Sequence, residues 1–69
     1  MESFGKILRE LRNEKGWTQK QLGAKVDVSY SAVRHWEIDD KEPSLKTICK
    51  LAEIFNVTVG QLLGVEELF

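Results

Sequence analysis

Residues 29–37 run Ser-Tyr-Ser-Ala-Val-Arg-His-Trp-Glu, and at ~100° per residue the helix they predict separates into two faces. Tyr30, Ser31, Arg34 and His35 fall on one side; Ala32, Val33 and Trp36 fall on the other. A phenol, a hydroxyl, a guanidinium fork and an imidazole form a row of hydrogen-bond donors and acceptors. Their chemistry is recognition. No carboxylate pair, Ser-His-Asp set or Cys-His set is placed for burial in one small cleft, and no glycine-rich loop follows a strand pattern, so no enzymatic activity is expected. His35 is the one histidine and Cys49 the one cysteine, which leaves neither a metal-ligand set nor an internal disulfide. Neither a metal nor a cofactor is expected.

A helix with such a face must be held from behind, and the flanking residues supply the means. Thr18 with Gln21 three residues later is a capping box, and Trp17 and Leu22 are spaced as a hydrophobic staple over the same helix start. Leu22 and Val26 give an apolar i, i+4 step, and Gly23 between them leaves room for a close helix crossing. Asp27 breaks that helix, Val28 plugs the turn, and Ser29 is the N-cap of the reading helix. Two short helices joined by so tight a turn make residues 18–37 a helix-turn-helix.

Upstream, Ser3 caps a helix with Phe4, Ile7, Leu8 and Leu11 on one stripe, ended by Gly16. Arg12 borders that stripe and Arg9 lies away from it, which makes Arg12 the better candidate for a partly buried partner. Downstream, Pro43 closes a polar loop and Ser44 caps a fourth helix. Leu45, Ile48, Cys49, Ala52 and Phe55 recur there at helical spacing, Leu51 and Ile54 widen the stripe, and Cys49 reads as a small buried hydrophobe. Asn56 is a left-handed stop. Residues 57–62 repeat the staple and capping box at the start of a short fifth helix ending at Leu63. The fold class is all-α, a compact bundle of about five short helices.

A chain of 69 residues, 42% hydrophobic and 30% charged, supports one domain. It is assigned to residues 1–64, with 65–69 as an apolar and acidic tail. No apolar run suits a membrane span or secretory signal, and Met1 reads as a native start, so a cytoplasmic location is expected.

The ordered set Leu8-Arg9-Glu10-Leu11-Arg12, Gly16-Trp17-Thr18-Gln19, Val28-Ser29, Val33, Trp36-Glu37, Pro43-Ser44, Leu51-Ala52 and Gln61-Leu62-Leu63 resembles the Cro and lambda-repressor type of helix-turn-helix, the xenobiotic-response-element-like regulators. The resemblance covers residues 8–63. It implies a sequence-specific, dimeric regulator of transcription in a prokaryote or phage, read here as a repressor at the nucleoid. Its partners would be a two-fold symmetric duplex DNA operator and a second copy of itself. In such a protein the second helix of the motif enters the major groove. Tyr30 and Ser31 then lead as base contacts, with Arg34 suited to a guanine edge and His35 to an acceptor or a phosphate. The plainer roles are a packed ring for Tyr30, a pairing with Asp27 or with solvent for Arg34 and a solvated surface for His35. Gln19 resembles the family's glutamine that bonds phosphate and braces the reading helix, and Lys20, Ser29, Lys41 and Lys46 are further phosphate candidates. In the family an arginine at the place of Arg12 pairs with the glutamate that here is Glu37, a clamp between the first and third helices.

Charge and two turns depart from that pattern. The net charge is −1, although residues 1–26 hold Lys6, Arg9, Arg12, Lys15, Lys20 and Lys25 against Glu2, Glu10 and Glu14. A local basic face can still serve DNA, because exposed charges beyond ~8 Å are largely screened. Where the family commonly has Asn-Gly and basic residues, this chain has Asp39-Asp40-Lys41-Glu42, with Asp39 able to take the left-handed conformation. Asp27 stands where the family prefers glycine. Val65, Leu68 and Phe69 have no evident core to enter and are expected at a dimer contact or the start of a linker. The competing class is a helical protein-interaction module with weak or no DNA binding, supported by the acidic loop and this tail.

Overall fold

The computed structural model describes residues 2–68. Their regular structure is five helices: α1 (Phe4–Glu14), α2 (Gln19–Lys25), α3 (Tyr30–Glu37), α4 (Leu45–Phe55) and α5 (Val59–Leu63). Each begins on a hydroxyl. Ser3, Thr18, Ser29, Ser44 and Thr58 sit in extended backbone and accept from the amide three residues on, satisfying a donor that the helix leaves free. Thr18 with Gln21 and Thr58 with Gln61 close complete capping boxes.

Each helix also leaves by a left-handed residue: Gly16, Asp27, Asp39, Asn56 and Gly64, with φ between 55° and 81°. At every exit the following amide reaches back five residues, from Trp17, Val28, Asp40, Val57 and Val65 to the carbonyls of Arg12, Gly23, His35, Ala52 and Gly60. These are Schellman closures, which turn the chain sharply while satisfying end carbonyls. Asp27 and Asp39 therefore perform the turn that the family assigns to glycine.

One side chain from each helix is fully buried at the centre: Leu8, Leu22, Val33, Leu51 and Leu62. Ile7, Leu11, Val26, Trp36, Ala52 and Phe55 surround them, and Trp17 tilts against Phe55 with ring centroids 5.6 Å apart. α3 packs against both α1 and α2 and is thereby held along its inner side.

Two glycines record close approaches. A Cβ on Gly5 would lie 2.5 Å from the Glu37 carbonyl oxygen and 2.6 Å from that of Trp36, so the first turn of α1 rests directly on the last carbonyls of α3. A Cβ on Gly23 would lie 2.6 Å from the Val28 carbonyl oxygen. The space expected for a crossing helix is instead filled by the backbone of the turn itself.

Three apolar assignments are corrected. Cys49 is exposed, and Leu45 keeps 72% of its surface in water. The buried line of α4 runs through Ile48, Leu51, Ala52 and Phe55, and Cys49 lies ~100° from Ile48 around the axis. Leu45, in the first turn and ~60° off that line, has no helix above it to pack on. Leu68 does find a core contact, packing half-buried against the cluster, whereas Val65 is 66% exposed and Phe69 lies outside the described residues.

Gly5→Ala should cost about 1–3 kcal/mol, read from urea unfolding, because the backbone it meets cannot rotate aside. Cys49 should react with a thiol reagent in the native protein at the rate of an exposed cysteine; protection until unfolding would contradict its position.

Candidate nucleic-acid interface

The outer face of α3 is laid out as its periodicity predicts. Tyr30 is 58% exposed, Ser31 and Arg34 are exposed, and His35 is half-buried, above Val33 and Trp36 in the core. Among the described residues the Arg34 guanidinium forms no ion pair, so it faces solvent and the pairing with Asp27 is not made. His35 is engaged: its Nδ1 lies 2.6 Å from Asp40 Oδ2.

What fixes α3 in place is its last residue. Glu37 is the one buried charged residue among those described, at 5% exposure. Its carboxylate accepts from Arg12 Nε at 2.6 Å and Nη2 at 3.0 Å, and from Gln19 Nε2 at 3.2 Å. Arg12 Nη1 donates at 2.7 Å to the Trp17 carbonyl in the loop between α1 and α2. A single guanidinium thus ties α1, that loop and the end of α3 together, and Gln19 adds the start of α2. The bidentate geometry suits arginine and would be lost with lysine.

The hydrogen bond to Glu37 raises the Arg12 pKa above its ordinary value, burial opposes it and the Glu37 charge adds to it. A raised pKa contributes stability below the unfolded value and loses it only as pH climbs through the folded one. For an arginine that window is strongly alkaline, so the guanidinium side of the clamp is insensitive to pH near neutrality.

The clamp expected of Arg12 and Glu37 is formed, and Gln19 braces α3 through it. Lys20, Ser29, Lys41 and Lys46 are exposed, as phosphate candidates must be. Ser29 also accepts from the Ala32 amide as the α3 cap, leaving its hydroxyl hydrogen available. Lys25 lies 4.4 Å from the Trp17 ring centroid and covers that aromatic.

The acidic loop differs most from its sequence reading. Asp39 Oδ1 accepts at 2.9 Å from the Gly5 amide, placing a carboxylate at the amino end of α1, where the helix dipole favours it. Asp40 faces His35. Two carboxylates of the acidic loop are thus committed to partners within the protein. Gly5 and the Asp39 cap carried no local signal, since they lie 34 residues apart. The tail folds back on α5, with Thr58 Oγ1 donating to Glu66 Oε1 at 2.9 Å and Gln61 Nε2 to the Glu67 carbonyl at 3.0 Å.

Comparison with known proteins gives a consistent picture. The family model described as helix-turn-helix matches residues 8–62. The HTH-type transcriptional regulator ImmR of Bacillus subtilis is 35% identical over 65 residues, spanning 94% of this chain and 51% of that protein. The HTH-type transcriptional activator BcrR of Enterococcus faecalis is also 35% identical over 65 residues, 94% of this chain and 32% of its own. The chain therefore spans about half the length of the first of these relatives and about a third of the second. Among solved structures, the P22 c2 repressor in complex with a synthetic operator superposes with a TM-score of 0.89 at 26% identity, covering 96% of this chain and all of that one.

Arg12→Ala and Glu37→Ala should each destabilise the fold by ~3–5 kcal/mol in denaturant unfolding, since either leaves a charge buried without its partner. Gln19→Ala should cost less, because Arg12 still holds the carboxylate. A parental melting temperature for either clamp variant would mean that water replaces the lost partner.

Proposed function

The chain belongs to the helix-turn-helix family, and from that premise we propose that it binds duplex DNA sequence-specifically as a transcriptional regulator, with α3 in the major groove. The observation that carries this reading is the outer face of α3. Tyr30, Ser31 and Arg34 stand exposed on a helix whose inner side is buried and whose last residue is locked by Arg12. An α-helix fits the major groove, and donors near its amino end reach base edges there. The likeness to a repressor solved on its operator supports the same placement.

In this arrangement Tyr30, Ser31, Arg34 and His35 discriminate between bases. Gln19, Lys20, Ser29, Lys41 and Lys46 would meet phosphates on either side, setting affinity and register without specifying sequence. The commitment of Asp39 and Asp40 to partners within the protein reduces the repulsion that the loop would otherwise offer. Repression is the proposed mode, by occupation of an operator in the cytoplasm, at the nucleoid. The proposed active form is a two-fold dimer, using Val65, Leu68 and Phe69 of the tail, and its half-sites would lie ~34–36 Å or a multiple apart.

Selection of duplexes from a random pool, followed by salt titration on the selected sequence, tests this directly. Affinity should fall steeply with salt. Arg34→Ala and Tyr30→Ala should each give up ~1–3 kcal/mol of base discrimination at an unchanged melting temperature. Tight binding to a protein partner with no affinity for any duplex would replace this reading with that of an interaction module.

A further inference from the structure

Asp40 and His35 meet where the chain leaves α3. The imidazole Nδ1 lies 2.6 Å from Asp40 Oδ2, and an ionised carboxylate has lone pairs but no hydrogen to give. The hydrogen in that bond therefore belongs to the ring. A neutral imidazole with its hydrogen on Nδ1 carries its free lone pair on Nε2. Nε2 has no hydrogen-bond partner among the described residues, and no buried side-chain nitrogen or oxygen there lacks one, so Nε2 is open to water. The pairing is built into the backbone as well. The Asp40 amide donates to the His35 carbonyl at 3.0 Å, in the Schellman closure that turns through Asp39, so ring and carboxylate are brought together by the exit of α3 itself.

We propose that Asp40 is a positioning residue that fixes the neutral ring of His35 as a hydrogen-bond acceptor, so that in this form His35 selects a base with an exocyclic amino group, adenine or cytosine, on the strand it approaches. This rests on the DNA-binding reading of α3. In the major groove adenine offers its N6 amino group and cytosine its N4 amino group, whereas guanine offers two acceptors and thymine an acceptor and a methyl group. A lone pair on Nε2 bonds the first two and is repelled by acceptors on the others. The neighbouring Arg34 has the opposite polarity, since a guanidinium only donates, and matches guanine. The reading face thus sets a donor and an acceptor side by side. Removing the carboxylate frees the imidazole to carry its hydrogen on Nε2, and the acceptor becomes a donor.

Two measurements on the full chain test the assignment. Imidazole nitrogen NMR at about pH 8, where an ordinary ring is neutral, should show Nδ1 protonated and Nε2 bare in the parent, with Asp40→Ala moving hydrogen onto Nε2. On duplexes selected by the parent, the base pair read by His35 is the one whose preference disappears in His35→Ala. Exchanging the two bases of that pair should weaken parental binding about five- to tenfold, the value of one neutral hydrogen bond. Asp40→Ala should lose that penalty while keeping the preference at the Arg34 position, and Asp40→Glu, which retains a carboxylate, should recover part of it. A bare Nδ1 in the parent, a guanine or thymine selected opposite His35, or an unchanged penalty in Asp40→Ala would overturn the assignment. Absence of affinity for every duplex would instead overturn the reading of α3 beneath it, and the role of Asp40 with it.

Discussion

The bidentate bond between Arg12 and Glu37 is the constraint on which the rest depends. The outer side chains of α3 keep one direction only if the helix itself is held, and eight residues of helix cannot fix that direction alone. The inner stripe of Val33 and Trp36 sets how α3 rolls against the core, but apolar packing by itself tolerates sliding along the axis. A carboxylate at the last position of α3, gripped from α1 and from the start of α2, removes that freedom. The Gly5 contact reinforces it from the same end, since α1 rests on the last carbonyls of α3.

The same end of α3 is where unusual electrostatics gather. Glu37, Asp39 and Asp40 lie within four residues, and each goes to a different partner: the Arg12 guanidinium, the Gly5 amide at the start of α1, and the His35 ring. Counted along the chain they form an acidic segment. In three dimensions two of them hold the bundle together and the third meets His35 on the outer side of α3. Net charge is a poor guide to a surface whose charges have internal partners, because what an approaching polyanion meets is the local, partly neutralised field.

Local chemistry accounts for much of the fold. Five hydroxyl N-caps, two capping boxes and five left-handed exits leave little choice about where helices start and stop. Each of these devices needs residues only three to five positions apart, so all are legible in a one-dimensional string. The exposed and buried faces of α3 were legible for the same reason. Where α4 was misjudged, the fault was of another kind: periodicity gives an angle around the axis, and it does not say which neighbours cover a given turn. Cys49 and Leu45 sit on the edge of a stripe that the other helices do not reach.

The sequence by itself determined the five helices, the helix-turn-helix, the outward row of Tyr30, Ser31, Arg34 and His35, and, through its resemblance to Cro-like regulators, the pairing of Arg12 with Glu37. Tertiary structure alone decided that Gln19 joins that pair, that Asp39 caps α1, that Gly5 admits α3 and that Leu68 folds inward while Val65 does not. The physical reason is distance along the chain. Caps and turns are short-range bonds encoded by neighbours, whereas these contacts join residues that only the burial of a shared core brings together.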